Sequence, residues 1–336
     1  MNPEMVLPSP HETGKLKIKQ LKRFWQATQL NRSGKAGTIL QDEWQLNKVL
    51  LGALSLGLEQ TITHIYQNAL SFEDFEDWII DTAGIPDSDT LDRFNRIFDS
   101  EEAQAWATAP VLSAEDLLFF EKNGYLLIKN AVPEDDCKQA INVICDFLGI
   151  KQDQPDTWYK PNPARQGIMV QLFQHPILTK NRSSYKIRGA FEQLWQTKNI
   201  WMNNDRVGFN PPETESWKFP GPDLHWDCSL ELPIPFGLQG ILYLSDTAAN
   251  QGAFTLVPGF QHRIESWLNS LPAGADPRQQ DLHALGSKPL TGKTGDFIIW
   301  QQALLHGSSP NTSTQPRFVQ YINYQPVRFT EHTNWL

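Results

Sequence analysis

The chain has 336 residues, of which 40% are hydrophobic and 20% charged, and its formal net charge is -9 at pH 7. This is the composition of an ordinary soluble protein with one large domain or two smaller ones. The acidic balance argues against a nucleic-acid partner, which requires clustered Lys and Arg. The N-terminal sequence lacks a basic start followed by an apolar core, and no apolar run is long enough to span a membrane, so we expect a cytoplasmic protein without a membrane partner.

The three cysteines indicate a reducing compartment. Cys137, Cys145 and Cys228 cannot all pair with one another and show no C-x-x-C spacing. We therefore predict free thiols. Cys228 follows Asp227 directly, but neighbouring side chains of a strand point to opposite faces, so we assign it a packing role.

The first hundred residues are predicted to be helical. Apolar residues three and four positions apart predict helices over residues 15–30, 40–69, from Ser71 to about 84, and 88–98. Gly52 and Gly57 indicate a break or a close helix crossing within the second helix. This part contains no cluster of metal ligands. We predict a helical N-terminal subdomain over residues 1–110 that serves packing, dimerisation or docking of a carrier or partner.

From Ser113 the pattern changes, and residues 111–336 are predicted to form a second domain. A capped helix ends at Gly124 and is followed by a strand over 125–129, a helix over 133–147, a helix over 181–196 and a strand over 200–209. Many short β-runs with Pro-Gly and Asn turns follow. They predict an α+β fold whose core is a double-stranded β-helix, the jelly-roll architecture, with flanking helices.

Two segments rich in Pro, Gly and polar residues interrupt the strands. Residues 211–222 are either a lid with Trp217 as an apolar substrate contact or a plain surface loop. Residues 269–294, which we call the insertion segment, are a candidate for substrate specificity. Arg263 and Trp226 are further candidates for substrate contact, although a structural rim position is the simpler prediction for Arg263.

The stretch His225-Trp226-Asp227 carries the strongest chemical signal. If it is extended, His225 and Asp227 point to one face and Trp226 to the other. His306 lies 79 residues beyond Asp227, at the end of an apolar run. Two His and one carboxylate from different strands of a small barrel form the facial triad that holds Fe(II) and leaves the opposite face open. We predict that these three residues are metal ligands and catalytic residues.

Arg317 begins the strand that returns after His306. A hairpin at this point would bring its guanidinium back beside the metal strand. The forked donors of Arg suit a dicarboxylate co-substrate whose far end must be held while its 2-oxo acid end chelates iron. Ser308 is placed to donate to the same carboxylate.

Taken together, these features resemble the phytanoyl-CoA dioxygenase family of Fe(II)/2-oxoglutarate oxygenases. The resemblance is carried by His225-x-Asp227, by the segments 251–263 and 295–300, and by His306 with Arg317 eleven residues later. It extends over roughly two thirds of the chain. It implies Fe(II), 2-oxoglutarate and O2 as cofactor and co-substrates.

The resemblance also implies roles for two asparagines. The strand over 200–209 lines the pocket in the family, which makes Asn204 and Asn210 candidates for hydrogen bonds to the co-substrate. The alternative for both is that they hold loop backbones, as Asn often does.

The expected reaction is hydroxylation of an unactivated C-H bond in a small-molecule metabolite, which releases succinate and CO2. Related halogenases have a small residue in place of the carboxylate, and Asp227 is intact. Desaturation, epimerisation and ring closure use the same ligands and stay open as alternatives. So do a non-catalytic binding module on the same fold and a cupin-like hydrolase or isomerase using Zn or Mn. The sequence does not identify the substrate.

Overall fold

The structure is a computed structural model, and it describes residues 7–34, 42–68, 70–99 and 110–332. The chain divides into two compact units. Unit 1 consists of Met1–Ala107, Thr197–Asp205 and Gln325–Arg328, and unit 2 of Thr108–Gln196, Arg206–Tyr324 and Phe329–Leu336. Within the described residues, no helix combines the length and the apolar character needed to cross a membrane.

The elements are numbered in chain order. The α-helices in the described residues are α1 (Leu21–Arg32), α2 (Trp44–Ala53), α3 (Leu58–Gln67), α4 (Phe72–Ala83), α5 (Ser88–Asn95), α6 (Ala114–Asn123), α7 (Glu134–Leu148), α8 (Pro176–Arg182), α9 (Tyr185–Trp195) and α10 (Ile264–Ser270). The strands are β1 (Tyr125–Ile128), β2 (Arg165–Gln166), β3 (Met169–Val170), β4 (Ile200–Asn203), β5 (Val207–Asn210), β6 (Leu238–Tyr243), β7 (Thr255–Leu256), β8 (Lys288–Pro289), β9 (Phe297–Gln301), β10 (His306–Gly307), β11 (Arg317–Tyr321) and β12 (Asn323–Pro326).

Unit 1 packs helices α1 to α5 around one apolar core. The predicted start of α4 is confirmed: the Ser71 hydroxyl accepts a hydrogen bond from the Asp74 N–H, which forms a capping box. The predicted helix over 40–69 is two helices, because the chain turns between α2 and α3, where Ser55 has a φ of 55°. The helix predicted over 15–30 begins later, at Leu21. The backbone N–H groups of residues 15 and 16 donate instead to the Glu76 carboxylate.

Residues far along the sequence complete unit 1. Trp201 of β4 lies in the core of this unit, and the backbone carbonyl of Met202 approaches Gly52 so closely that a Cβ there would lie 2.1 Å from it. The sequence predicts one strand over 200–209, and this is wrong. The chain forms two strands, β4 and β5, which belong to different units. The predicted boundary near residue 110 therefore omits two later segments that pack with the helices of unit 1.

Unit 2 is built on two antiparallel sheets. Seven strands follow the order β1-β9-β6-β11-β5-β3-β2, and three follow the order β10-β7-β8. In the larger sheet, register sets Gln239 opposite Trp300 and Asn210 opposite Arg317. The predicted mixture of helices and antiparallel sheet is confirmed, whereas closure into a double-stranded β-helix stays a prediction.

The apolar core of unit 2 includes alternate residues of the central strands. Ile298 and Trp300 of β9, Ile241 and Tyr243 of β6, and Val319 of β11 all belong to one buried cluster. Alternation along a strand places these side chains on the same face of the sheet. Gln239 and Arg317 occupy the same alternating positions, so two polar side chains share the face that carries the apolar core.

Candidate metal centre

The backbone places His225 and His306 directly opposite each other. The His225 N–H donates to the His306 carbonyl at 2.7 Å, and the His306 N–H donates to the His225 carbonyl at 3.1 Å. Residues paired in this way point their side chains to the same face, and the two ring centroids are 4.8 Å apart. Asp227, two residues after His225, joins them, and one ligand atom from each of the three residues lies within 4.8 Å of the others.

Both imidazoles are held in the tautomer that a metal requires. Nδ1 of His225 lies 2.6 Å from the Asp223 carbonyl, and Nδ1 of His306 lies 2.9 Å from the Leu304 carbonyl. A carbonyl can only accept, so each Nδ1 carries the proton and each Nε2 of a neutral ring presents a lone pair. These Nε2 atoms face Asp227: that of His225 is 3.2 Å from Oδ1 and that of His306 is 3.3 Å from Oδ2.

The cluster has a buried side and an open side. The side chain of His306 is 3% exposed, that of His225 30% and that of Asp227 48%. Burial alone would raise the pKa of Asp227, but in the metal-free protein hydrogen bonds from the two histidines, which Nε2 of each ring donates when that ring is protonated, outweigh burial and hold the pKa far below its ordinary value. The carboxylate is therefore ionised and accessible, as a ligand of an exchangeable site must be.

Aromatic rings enclose the buried side. The ring centroid of His306 lies 5.1 Å from that of Trp300 and 5.8 Å from that of Phe254. The two aromatic rings also contact each other, with centroids 4.3 Å apart. This packing fixes the imidazole and excludes water from its inner face.

Gln239 is a site residue that the sequence analysis missed. Its side-chain N–H donates to Oδ2 of Asp227 at 2.7 Å, and its side-chain oxygen accepts from the Trp300 indole at 3.1 Å. The available signal was a polar residue at a core-facing position of an otherwise apolar strand. Its hydrogen-bond partners, Asp227 and Trp300, could not be predicted without the register of β6 and β9.

Arg317 is fully buried and has no acidic partner among the described residues. One guanidinium nitrogen donates to the Gly252 carbonyl and another to the Ser308 hydroxyl at 3.2 Å, while Nε is buried without a hydrogen bond. Burial lowers the pKa of Arg317, although an arginine remains charged. A buried cation without a counter-ion costs several kcal/mol, so this position favours the binding of an anion.

Of the three remaining polar candidates, two lie beside Arg317 and the third belongs to unit 1. Ser308 lies against Arg317, although the predicted hairpin between them does not form, because β10 and β11 belong to different sheets. Its hydrogen bond to the co-substrate stays a prediction. Asn210 is opposite Arg317 in the sheet, donates to the Ser309 carbonyl at 3.2 Å, and leaves its side-chain oxygen buried without a partner. Asn204 belongs to unit 1, where its amide donates to the Ser55 carbonyl. It holds a loop backbone, the alternative stated above, because the strand that was expected to carry it into the pocket ends at Asn203.

Three candidate substrate contacts also have defined surroundings. Trp226 is 2% exposed, and its ring contacts those of Phe260 and Trp267 in the core. Its indole donates to the Ala303 carbonyl, so its position gives no support to substrate contact. Trp217 packs near Tyr159 and the Arg165 guanidinium. Arg263 is exposed, and its guanidinium lies over the ring of Phe260. Substrate contact stays a prediction for Trp217 and Arg263.

Fold and site together define a class of protein: an antiparallel β unit with a two-histidine, one-carboxylate cluster that could hold one metal ion, and a buried arginine on the core face of the larger sheet. Residues 120–319, which include all four of these side chains, match the family model described as phytanoyl-CoA dioxygenase (PhyH). The chain belongs to this family. The predicted family is confirmed, and so is the prediction that the chain is an enzyme of the dioxygenase class.

Individual relatives are distant. A putative phytanoyl-CoA dioxygenase of Dictyostelium discoideum is 25% identical over 261 residues, covering 62% of this chain and 74% of the relative. An ectoine dioxygenase of Bordetella bronchiseptica is 22% identical over 248 residues, covering 66% and 78%. A crystal structure of EctD from S. alaskensis with bound Fe superposes with a TM-score of 0.49 at 18% identity, covering 68% of this chain and 83% of that chain.

Proposed function

We propose that the protein is an Fe(II)/2-oxoglutarate-dependent dioxygenase that hydroxylates an unactivated C-H bond of a small-molecule metabolite and releases succinate and CO2. His225, Asp227 and His306 hold Fe(II). Arg317 and Ser308 bind the far carboxylate of 2-oxoglutarate, with Asn210 beside them. The family match supports this proposal, and so does the small-molecule substrate in the name of the ectoine dioxygenases.

The observation that carries the proposal is the arrangement of the three ligand atoms. Two atoms that each lie about 2.1 Å from one divalent ion at right angles are about 3 Å apart. The contacts of Asp227 with the two Nε2 atoms measure 3.2 and 3.3 Å. Both Nδ1 protons are already donated to carbonyls, which leaves the lone pairs of the two rings aimed at one point. Two imidazoles and one carboxylate are the ligand set typical of non-haem Fe(II) oxygenases.

The buried Arg317 supplies the second support. Its charge lies on the core face of the sheet, and the unpartnered Nε can donate one more hydrogen bond. A carboxylate of a dicarboxylic acid satisfies both the charge and this donor. The Ser308 hydroxyl, which accepts from Arg317, is free to donate its own proton to the same group.

When bound, Fe(II) with 2-oxoglutarate and O2 supplies the oxidising power for the C-H bond. The chain supplies position and a dry environment. Gln239 fixes the rotamer of Asp227, and Phe254 and Trp300 shield the buried face of His306. The exposed side of Asp227 marks the direction from which a substrate enters.

The test is an anaerobic titration of the apoprotein with Fe(II) and then with 2-oxoglutarate, followed by visible absorption. We expect one Fe(II) per chain and a charge-transfer band that requires both additions. H225A and D227A should bind neither Fe(II) nor 2-oxoglutarate tightly. H262A is the matched control, because His262 is an exposed histidine that contacts the Glu121 carbonyl.

A wild-type protein that gives no iron binding and no band would contradict the proposal in favour of a binding module. Product analysis with metabolite candidates then separates hydroxylation from desaturation, epimerisation or ring closure.

Dimerisation or carrier docking through the N-terminal helices stays a proposal. Deleting residues 1–107 is a poor test, since Trp201 would lose the core in which it is buried. Sedimentation of the full chain with and without candidate carriers measures the same property without disrupting unit 1.

A further inference from the structure

We propose that Arg278, in the insertion segment, is a positioning residue that clamps the backbone on both sides of Asp227. The inference rests on the proposed function, since it concerns the ligands of the proposed iron. It assigns the insertion segment a role beyond substrate specificity: it holds the metal-binding backbone from the side opposite His306.

The clamp consists of two hydrogen bonds from one guanidinium. Nη1 of Arg278 donates to the Trp226 carbonyl at 2.9 Å, and Nη2 donates to the Cys228 carbonyl at 2.8 Å. These are the carbonyls of the residues immediately before and after Asp227. The two nitrogens belong to one rigid planar group, so together they fix the spacing and orientation of the Trp226–Asp227 and Cys228–Ser229 peptide units, which lie on either side of Asp227.

The backbone needs such a support because its other contacts lie on one edge. The N–H and carbonyl of His225 are both bonded to His306. Successive carbonyls of extended backbone point to opposite edges, so the carbonyl of Trp226 is directed away from β10. No strand of the described part of the chain pairs with that edge. Arg278 occupies the place that a neighbouring strand would otherwise take.

Arg278 is itself held in position. Its backbone N–H donates to the Asp276 carboxylate at 2.9 Å, at the start of a 3₁₀ turn over Pro277–Gln279. Its side chain is half-buried, which strengthens its hydrogen bonds relative to those of a fully exposed arginine. The guanidinium therefore reaches the carbonyls from a fixed base.

A second link from the insertion segment is weaker. Nε2 of His283 lies 3.0 Å from both carboxylate oxygens of Asp223, whose carbonyl accepts from Nδ1 of His225. The side chains of His283 and Asp223 are 57% and 61% exposed, and ion pairs with that exposure contribute little. Arg278 is thus the residue whose loss should matter most.

The experiment compares R278M and R278K with the control variants R32M and R32K, because Arg32 is an exposed arginine of unit 1 that also donates to a backbone carbonyl, that of Asn68. Fe(II) affinity is measured anaerobically. Hydrogen exchange of the peptide spanning residues 223–230 is measured in the metal-free protein. We expect R278M to weaken Fe(II) binding roughly 10- to 100-fold, as supports of metal ligands typically do, and to accelerate exchange of the His225 amide. R278K should lie between R278M and wild type, because an ammonium cannot bond both carbonyls in the same plane.

The outcomes separate the two proposals. Unchanged Fe(II) affinity and exchange in both Arg278 variants would overturn the clamp while leaving the proposed function intact. A wild-type protein that does not bind Fe(II) would overturn the proposed function, and the exchange measurement would still decide whether Arg278 holds this backbone. If R278M fails to fold, R278K supplies both readouts.

Discussion

Gln239 connects Asp227 to Trp300 through its two amide atoms, at 2.7 Å on the carboxylate side and 3.1 Å on the indole side. The indole N–H can only donate a hydrogen bond, so the side-chain oxygen of Gln239 must face Trp300. The amide N–H of Gln239 therefore faces Asp227. Gln239 and Trp300 are opposite each other in paired strands, which makes the support rigid. The candidate ligand Asp227 is therefore oriented by the core of unit 2 as well as by the two histidines.

Replacing Gln239 by Leu should weaken metal binding without unfolding the protein. The variant keeps the volume of the side chain, removes the donor to Asp227 and leaves the Trp300 N–H without an acceptor. Loss of such a support typically costs about 10- to 100-fold in metal affinity. Anaerobic Fe(II) titration measures the loss. Q261L is the control, because Gln261 donates to the Glu121 carbonyl, away from the ligands. Equal affinity in Q239L and wild type would show that the two histidines alone orient Asp227.

Arg317→Ala should impair the use of 2-oxoglutarate and spare iron binding. A hydrogen bond to a charged group contributes about 1.5–3 kcal/mol, so the concentration of 2-oxoglutarate required should rise by roughly 10- to 100-fold. The measurement is the dependence of the visible band, and of turnover, on 2-oxoglutarate concentration. K293A is the control, because Lys293 forms an exposed ion pair with Asp246. An unchanged dependence in R317A would rule out Arg317 as the site of the second carboxylate.

The sequence predicted the parts of the site that follow from local rules. Alternation in an extended segment sets His225 and Asp227 on one face. Arg317 does contact Ser308, but not through the predicted hairpin, because β10 and β11 belong to different sheets. Gln239 and Arg278 were not predictable in this way. Their partners are fixed by strand register and by the path of a loop, and neither leaves a periodic pattern in the sequence.

The error at residues 200–209 has a similar cause. The prediction of one strand joins two apolar runs, residues 200–202 and residues 207–209, across the four polar residues 203–206. The chain leaves the first strand after Asn203 because Trp201 is buried in unit 1, whereas Val207 pairs within the sheet of unit 2. Burial in two separate cores is a tertiary property, and it moved Asn204 away from the role expected from the resemblance.

All three cysteines should react slowly with thiol reagents in the native protein. Burial raises the pKa of Cys137 to about 12, that of Cys145 to about 11 and that of Cys228 to about 12. The thiolate is the reactive form, so an increase of this size lowers its population near neutral pH by roughly 100- to 1000-fold relative to an exposed thiol. Titration with a chromogenic disulfide should detect three thiols in denaturant and almost none in buffer. Rapid labelling of Cys228 in the native protein would contradict its packing role beside Asp227.

Gly307→Ala should disrupt the candidate metal centre through the backbone. A Cβ at Gly307 would lie 2.3 Å from the Asp223 carbonyl oxygen, and this carbonyl accepts from Nδ1 of His225. A methyl group would have to push the segment before His225 away from β10, which lengthens the hydrogen bonds between His225 and His306. Overpacking of this kind costs about 1–3 kcal/mol.

G274A is the control: its added methyl meets no atom within 4 Å, although its φ of +81° carries a conformational cost of its own. We expect both variants to unfold at lower denaturant concentration than wild type. Only G307A should also lose Fe(II) affinity, because only Gly307 lies against the backbone that orients His225. Unchanged iron binding in G307A would mean that β10 and the segment before His225 can separate without moving the imidazoles.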